Sequence, residues 1–296
     1  MKKRIIVSAA DDGYFGLLSD LISSIEDSKG ESDVAIGVLD LGLTAAQRDI
    51  LSGRVQHIVT PNWDYQLAAL NSAPRKFQAM TSRPHLPKHF PGYDIIMWMD
   101  ADTWIQRWSA VEHFFEKAAG RGLAVCQELD RSYDNVYDLN DSRQLFSQSL
   151  KAFGNDVMQN VIWMPIVNSG VFAMRADSPY WSQWRDTLGF ALQRGHLEHL
   201  IEQTAFNVCI YRRPPLPYFM PARFNWVCSQ SLPRFDDRTR HYVEPGVPHD
   251  EISIIHLAGL QTRLGDSFVV VDVDGNKTGM NLLYSQWKQY RAQGND

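Results

Sequence analysis

The sequence contains little cysteine, and its cysteines form no pattern that binds metal. Cys126, Cys209 and Cys228 are the three cysteines in 296 residues, and their spacing matches no zinc or iron–sulfur motif. A small, odd and scattered set argues against a disulfide framework and predicts reduced thiols. We therefore expect a cytoplasmic protein that is held together by its core rather than by cross-links.

The sequence also lacks a long apolar run and a strong excess of positive charge. No stretch approaches the ~20 apolar residues that cross a bilayer, and the segment from Ile5 to Ala10 is too short for a signal-peptide core. The net charge of -5 provides no electrostatic footprint for nucleic acid or an anionic membrane. We expect neither a nucleic-acid partner nor a transmembrane segment.

Three well-known site motifs are missing. The glycine-rich fingerprint G-x-G-x-x-G and the Walker-type phosphate loop are absent, which argues against dehydrogenases and P-loop enzymes. The run His196-Leu197-Glu198-His199 is not the zinc-binding H-E-x-x-H pattern, and we interpret it as a solvated helix start. There is no internal repeat, low-complexity segment or obvious linker at which to divide the chain.

What the sequence does contain is an alternation of strands and helices. With 44% hydrophobic and 21% charged residues, the composition is that of a globular protein with a sizeable core. Strand patterns alternate with helical spacing through most of the chain, which predicts an α/β fold with a doubly wound, mainly parallel sheet flanked by helices. The predicted strands are Arg4 to Ala10, Val34 to Leu41, Gln56 to Thr60, Ile95 to Met99, Gly122 to Gln127, Asn168 to Met174 and Ile252 to His256. The predicted helices include Thr44 to Leu51, capped by Thr44, Ala110 to Ala119, and two amphipathic helices at Ser178 to Gln193 and Glu198 to Tyr211.

The strongest chemical signal is a pair of carboxylates, Asp100 and Asp102, separated by Ala101 at the end of a buried strand. On an extended backbone residues two apart face the same side, and ligands of open α/β sheets bind at the carboxyl ends of the strands. Two adjacent carboxylates repel unless a cation lies between them. The pair therefore predicts a metal–nucleotide site; the alternative is one capping aspartate and one solvated aspartate.

A late histidine suits the same site. His256 ends a predicted strand and is followed by Leu257, Ala258 and Gly259. An imidazole beside two carboxylates makes a mixed nitrogen–oxygen site suited to Mn²⁺, with Mg²⁺ as the other candidate. Gly259 would let the backbone approach phosphate oxygens. The alternative is a structural histidine with no ligand.

The first predicted strand ends in a segment that could bind a nucleotide. Small Ala9 and Ala10 would let a base or ribose approach the backbone, Asp11 could accept an N–H or hydroxyl, and Tyr14 could pack on a ring. The alternative is that Asp11 and Asp12 cap the next helix.

Other polar groups are less informative on their own. Arg83 could contact a diphosphate or bond the Asp100 carboxylate, or it could be a surface arginine. The segments Asn168-Ser169-Gly170 and Glu202-Gln203 could recognise sugar hydroxyls, or they could serve as caps and ordinary helix surface.

Together these segments resemble the retaining glycosyltransferase family eight over most of the chain, to about Arg263. The matching segments, in order, are Ala9 to Tyr14, Arg83 to Pro87 with Asp94 to Asp102, Asn168 to Val171, Glu202-Gln203 with Asn207, Leu216-Pro217 with Asn225-Trp226, and His256 to Gly259. Three positions depart from the family pattern. Thr262 replaces a lysine, for which Arg263 could substitute; Gly13 replaces an asparagine; and Glu202 replaces an aspartate.

The resemblance implies a GT-A fold, with a doubly wound mixed sheet flanked by helices, and a Mn²⁺-dependent hexosyltransferase that uses a UDP-linked sugar donor with retention. It implies one catalytic domain, residues 1–265, with a Rossmann-like nucleotide-binding half (1–105) and a donor-sugar and acceptor half (106–265), followed by a hairpin and helix (266–296). Its metal ligands would be Asp100, Asp102 and His256, and its catalytic residues Asn168, Glu202 and Gln203. The implied nucleotide-sugar-binding residues are Ala9, Ala10, Asp11, Gly13, Tyr14, Arg83, Asp100, Ala101, Asp102, Ser169, Gly170, Gly259 and Arg263. Glu128 and Asp130 are expected near an acceptor, which could be a glycan, a lipid-linked sugar or a protein.

Two other functions remain open at this point. A nucleotidyltransferase would use the same acidic metal site, although it favours a basic phosphate-gripping loop that the segment Ala9 to Tyr14 lacks. A nucleotide-sugar- or carbohydrate-binding protein without turnover would be compatible with Thr262.

Overall fold

The computed structural model describes residues 2–133, 149–161, 163–198, 200–212, 215–260, 265 and 267–292. Thr262 and Arg263 lie outside these residues. Within the described chain, no helix is both long and apolar enough to cross a membrane.

The strands are β1 (Arg4–Ala10), β2 (Ala35–Asp40), β3 (His57–Val59), β4 (Ile95–Met99), β5 (Thr103–Ile105), β6 (Leu123–Gln127), β7 (Val167–Arg175), β8 (Tyr218–Met220), β9 (Trp226–Val227), β10 (Arg234–Asp236), β11 (His241–Val243), β12 (Ile254–His256), β13 (Phe268–Val271) and β14 (Lys277–Met280). Each predicted strand has a counterpart in the structure, and five further strands of the described chain, β5 and β8 to β11, were not predicted. The helices are α1 (Phe15–Ser28), α2 (Ala45–Ser52), α3 (Arg75–Ser82), α4 (Leu86–His89), α5 (Ser109–Arg121), α6 (Asn155–Val161), α7 (Tyr180–Gln193), α8 (Ile201–Arg212) and α9 (Tyr284–Ala292).

A seven-stranded sheet in the order β3-β2-β1-β4-β7-β6-β8 forms the centre of the molecule. Strand β1 pairs in parallel with β2 on one side and with β4 on the other. The chain leaves β1 towards β2 and β3 and later returns to β4, so the direction of winding reverses between β1 and β4. Ligands of open α/β sheets bind at such a switch point.

Helices cover both faces of this sheet, as its buried apolar strands require. On one face α1 and α5 pack through Leu21 and Phe114. On the other face α7 and α8 pack through Trp184 and Phe206, whose rings stack with centroids 4.1 Å apart. The predicted α/β fold with a helix-flanked sheet is confirmed.

A second, three-stranded sheet, in the order β5-β12-β9, lies beside the carboxyl end of β4. Its core tryptophan, Trp104, packs on Trp287 of α9 with ring centroids 5.0 Å apart. Trp104 also donates its indole N–H to the carbonyl of Leu282 at 2.9 Å. The C-terminal hairpin β13–β14, expected within residues 266–296, belongs to the same apolar cluster.

Some details match the sequence predictions and others differ. Strand β7 is antiparallel to both of its neighbours, β4 and β6, which makes the sheet mixed, as the resemblance implied. The late strand predicted from Ile252 to His256 begins at Ile254, and it belongs to the small sheet. Helix α8 was predicted to be amphipathic but is buried on every side from Ile201 to Ile210, because it lies between α7 and the central sheet. The predicted N-cap of α2 is confirmed, since Thr44 and Gln47 form a capping box.

Candidate metal and nucleotide site

Two short elements bring Asp100, Asp102 and His256 together. The chain turns directly after β4, where the N–H of Thr103 donates to the carbonyl of Asp100 at 3.0 Å. The chain then enters β5, in which Thr103 is the antiparallel partner of His256. The extended backbone predicted for the carboxylate pair is therefore wrong: a turn, not strand alternation, places the two aspartates.

Ligand atoms of Asp100, Asp102 and His256 all lie within 4.8 Å of one another. Nε2 of His256 is 3.4 Å from Oδ1 of Asp102 and 3.9 Å from Oδ2 of Asp100. Asp100 retains 24% side-chain exposure, whereas His256 is almost fully buried. We call these three residues the metal-type group. The group is a compact set of two carboxylates and one imidazole that is open on the Asp100 side, and these ligand types suit Mn²⁺.

The electrostatics of this group are those expected when negative charges are crowded together. Burial and the charge of Asp102 raise the pKa of Asp100 above its usual range, although Arg83 opposes the shift. Burial alone would lower the pKa of His256, but attraction by Asp102 and Asp100 outweighs it, and the pKa is raised. Both shifts show that the site favours an added positive charge.

Arg83 lies beneath the site and connects Asp100 to Glu202. Its guanidinium donates to Oδ1 of Asp100 at 2.5 Å and to Oε2 of Glu202 at 2.7 Å. Trp98 donates its indole N–H to the same Asp100 oxygen at 2.8 Å, and the Arg83 guanidinium stacks over the Trp98 ring. Arg83 is therefore a buried arginine that orients Asp100, one of the two roles that the sequence suggested.

The start of α8 faces the same region. Ser169 donates its backbone N–H to Oε1 of Gln203 at 3.0 Å, and its hydroxyl lies 3.2 Å from Oε2 of Glu202. The other Glu202 oxygen, Oε1, is buried and has no hydrogen-bond partner among the described residues. Burial raises the pKa of Glu202 to about 7 in spite of the neighbouring Arg83 charge.

A chain of amides supports His256 from behind. Nδ1 of His256 lies 2.9 Å from Oδ1 of Asn225, and Nδ2 of Asn225 donates to Oδ1 of Asn168 at 2.9 Å. Asn168 in turn donates to Oε1 of Glu128 at 2.7 Å. The side-chain oxygen of Asn168 also accepts the N–H of Gly170. Among the described residues Glu128 accepts one of the two Nδ2 hydrogens of Asn168, which leaves the other for a ligand.

The segment at the end of β1 lies beside the aspartates. Burial and the charges of Asp102, Asp11 and Asp100 raise the pKa of Tyr14, which remains 36% exposed. Asp11 accepts the N–H of Tyr14 at 3.1 Å and caps a 3₁₀ turn. Its contacts here are therefore those of a capping residue, the alternative to nucleotide binding. Ala9 and Ala10 are buried in the sheet, and Gly13 is exposed.

The remaining predicted residues occupy separate places. Ala101 is buried in the turn between the two aspartates. Gly259 has a φ of +77°, and a Cβ there would lie 2.9 Å from Cβ of Ser229, so its backbone conformation requires glycine. His196 pairs with Glu198 at 3.0 Å, apart from the metal-type group. Arg263 is outside the described residues.

Comparisons with known proteins agree with this architecture. No protein-family model matches the sequence, and no curated protein matches it. A solved structure of the galactosyltransferase LgtC with donor and acceptor sugar analogues superposes with a TM-score of 0.55 and 14% identity, covering 98% of this chain and 95% of that one. The fold is that of a GT-A glycosyltransferase.

Two further glycosyltransferase structures share the GT-A fold over part of their length. The apo structure of the bifunctional WbbM has a TM-score of 0.53 and 12% identity, with coverage of 87% of this chain and 46% of that one. GlyE from Streptococcus pneumoniae TIGR4 also has a TM-score of 0.53 and 12% identity, with coverage of 98% and 60%. This chain therefore spans under two thirds of both proteins, whereas it matches LgtC nearly end to end.

Sequence reasoning missed two residues that the structure places at the site. Asn225 was noted only as part of a motif, yet it contacts His256 directly. Trp98 was treated as an ordinary core residue, yet it donates to Asp100. The sequence did contain a signal for Trp98. Side chains two apart on a strand face the same side, and Trp98 stands two residues before Asp100.

A cavity of about 600 Å³ opens at the carboxyl ends of β6 and β8. Its lining includes Asp130, Tyr133, Arg223 and Glu244, and none of the three metal-type residues. Two of its lining residues are near site residues in the sequence, since Asp130 follows Glu128 by two residues and Arg223 precedes Asn225 by two.

Proposed function

We propose that this protein is a metal-dependent glycosyltransferase that resembles family eight. It transfers a hexose from a UDP-linked sugar to an acceptor hydroxyl with retention of configuration. The observation that carries the proposal is the convergence of Asp100, Asp102 and His256 at the switch point between β1 and β4. There Tyr14 lies close enough to both aspartates for their charges to raise its pKa, and its ring can cover a nucleotide ring.

The three side chains fit a divalent cation, and we propose Mn²⁺, with Mg²⁺ as the alternative. Gly170 keeps the space between them open, because a Cβ there would lie 2.8 Å from Oδ2 of Asp100. When bound, the cation would supply charge neutralisation for a diphosphate leaving group. Arg83 and Trp98 orient Asp100 for this role, because both donate to its Oδ1 atom.

The sugar of the donor would lie against β7 and the start of α8. Oε1 of Glu202 is a buried acceptor without a partner in the described chain, and a sugar hydroxyl would satisfy it. Gln203 uses its oxygen on Ser169, and no described residue accepts from its Nε2 amide. Asn168 has one amide hydrogen left for a hydroxyl. We therefore retain Asn168, Glu202 and Gln203 as the proposed catalytic-site residues around the sugar.

The acceptor would enter through the cavity beside β6 and β8. Asp130 lines that cavity, and the preceding Glu128 connects it to Asn168. We also propose the domain division expected from the resemblance, with residues 1–105 binding the nucleotide, 106–265 binding the sugars, and 266–296 packed against the catalytic domain.

A nucleotide-sugar screen tests the proposal. The full-length protein should show Mn²⁺-dependent thermal stabilisation by one UDP-hexose, because a ligand that binds only the native state stabilises it. Release of UDP with an acceptor panel, and the anomeric configuration of the product by NMR, then test transfer and retention. Stabilisation by nucleoside triphosphates with pyrophosphate release would instead indicate a nucleotidyltransferase. Binding without any turnover would indicate a nucleotide-sugar-binding protein.

A further inference from the structure

We infer that the backbone N–H of Gly170 fixes, through the side-chain amides of Asn168 and Asn225, which ring nitrogen of His256 is protonated in the neutral imidazole. The neutral ring carries its proton on Nδ1 and presents a free Nε2 lone pair to the two aspartates. This assignment concerns the protein alone, and only its consequence for metal affinity rests on the proposed function.

The Gly170 backbone fixes the orientation of the Asn168 side chain. The Gly170 nitrogen lies 2.8 Å from Oδ1 of Asn168. A backbone N–H can only donate, so the atom that faces it must be the amide oxygen. The amide nitrogen of Asn168 therefore points the other way, to Oε1 of Glu128 at 2.7 Å, and Glu128 accepts.

Asn225 links the oriented Asn168 side chain to the histidine. The oxygen of Asn168 also lies 2.9 Å from the side chain of Asn225, which must therefore present its NH₂ group there. The oxygen of Asn225 is then the atom that faces Nδ1 of His256 at 2.9 Å. Because an amide oxygen only accepts, Nδ1 of His256 must carry the hydrogen.

The opposite arrangement sets two donors or two acceptors against each other within this buried network. Rotating Asn225 alone places two amide oxygens 2.9 Å apart. Rotating Asn168 as well sets an NH₂ group against the Gly170 N–H and an oxygen against the Glu128 carboxylate. Glu128 is itself fixed, because its other oxygen accepts from Gln230 at 3.0 Å. Unpaired buried donors and acceptors are costly, so one polarity is selected.

The tautomer that the two amides select is not the one that the nearby aspartates favour. Asp102 and Asp100 lie 3.4 Å and 3.9 Å from Nε2 of His256 and would attract a proton to that atom. A proton on Nε2 would occupy the lone pair that a cation needs. Asn225 is therefore a positioning residue that keeps Nε2 free, in the manner of the outer partners of histidine ligands.

The test is the two-bond ¹H–¹⁵N spectrum of the full-length, metal-free protein labelled with ¹⁵N-histidine. The His256 signals are assigned by their loss in His256→Gln, and the pH is set above the pKa of His256 by titrating the same signals. We expect the pattern of an Nδ1–H imidazole. An Nε2–H pattern in the wild-type protein would overturn the inference, whether or not any variant folds.

Two variants of Asn225 separate a specific role from a merely structural one. Asn225→Leu removes the acceptor, and we expect the proton to move to Nε2, next to Asp102. Asn225→Asp retains an acceptor for Nδ1 although it removes the NH₂ donor to Asn168, and at a pH above the pKa of its His256 we expect the Nδ1–H pattern to persist. An unchanged pattern in Asn225→Leu would contradict the inference.

Binding of Mn²⁺ alone, measured by electron paramagnetic resonance, provides the second readout. Asn225→Leu should weaken Mn²⁺ binding roughly 10- to 100-fold, the usual range for outer-shell partners, and Asn225→Asp should retain affinity closer to wild type. An Nδ1–H pattern in a wild-type protein that binds no Mn²⁺ would support the inference about the tautomer and overturn the proposed metal site. The two failures are therefore distinguishable.

Discussion

Gly170 lies against His256 so closely that a Cβ on residue 170 would be 2.4 Å from Cε1 of the imidazole. The same atom would be 2.8 Å from Oδ2 of Asp100. Gly170 belongs to the central strand β7, which pairs with β4, whereas His256 belongs to the small sheet. The absence of a side chain at this point therefore lets the two sheets bring their polar groups to one place.

Replacing Gly170 with alanine should damage the candidate site more than the fold. We expect Gly170→Ala to weaken Mn²⁺ binding by at least roughly 10-fold, because His256 or Asp100 must shift. Overpacking should also lower the free energy of unfolding by about 1–3 kcal/mol. The matched control is Gly120→Ala in α5, where nothing lies within 4 Å of an added Cβ. Wild-type Mn²⁺ affinity in Gly170→Ala would contradict this account.

Removing the Arg83 guanidinium should leave two buried carboxylates without a counter-charge. We expect Arg83→Met to lower the free energy of unfolding by about 3–5 kcal/mol, the range for breaking a buried ion pair. Arg175→Met is the control, because Arg175 and Asp177 form an exposed pair at 2.7 Å, which should contribute less than about 1 kcal/mol. Urea denaturation of both variants measures the difference, and equal losses would show that Arg83 is not held as described.

Glu202 should make stability depend on pH. Its pKa is raised from 4.5 to about 7 by burial, so between these values the folded state binds more protons than the unfolded state. The contribution of Glu202 to the free energy of unfolding should therefore decrease as the pH rises through that window. Glu202→Gln cannot titrate and should show a shallower decline in metal-free urea denaturation, whereas the exposed control Glu116→Gln should match wild type. Parallel curves for Glu202→Gln and wild type would rule out the raised pKa.

Tyr14 should contribute to nucleotide affinity through its ring rather than through its hydroxyl. We expect Tyr14→Ala to weaken UDP binding by about 1–3 kcal/mol, the range measured for base–aromatic stacking, and Tyr14→Phe to retain most of the affinity. Tyr218→Ala is the control, since Tyr218 has a similar exposure of 38% on the edge strand β8. Fluorescence or calorimetric titration compares the three variants. A loss in Tyr14→Phe equal to that in Tyr14→Ala would show that the hydroxyl is the contact instead.

The sequence was sufficient to predict the fold class and the position of the metal-type residues along the chain. The buried run before Asp100 and the strand before His256 are local patterns, and local patterns show where a strand ends. The route by which these residues meet was not predictable in the same way. It depends on a turn at Asp102 and on the pairing of β5 with β12, a contact between segments about 150 residues apart.

The polar contacts around the site were harder still to predict. Arg83 and Asn225 have sequence neighbours that fit surface or loop positions, and only the assembled fold shows their partners. A side chain that pairs across distant elements leaves no periodic signal in the sequence. Glu128, expected near an acceptor, directs both carboxylate oxygens to Asn168 and Gln230, which became visible only in three dimensions.

The central claim is that Asp100, Asp102 and His256 hold a divalent cation that binds a nucleotide diphosphate, and calorimetric titration of UDP tests it most directly. Wild-type protein should bind UDP with Mn²⁺ present and lose this binding in EDTA. Asp102→Asn should lose the Mn²⁺-dependent binding while keeping its fold, and Asp272→Asn, an aspartate of similar burial in a distant hairpin, should bind like wild type. Unchanged UDP binding in Asp102→Asn, or equal binding with and without Mn²⁺, would contradict the account.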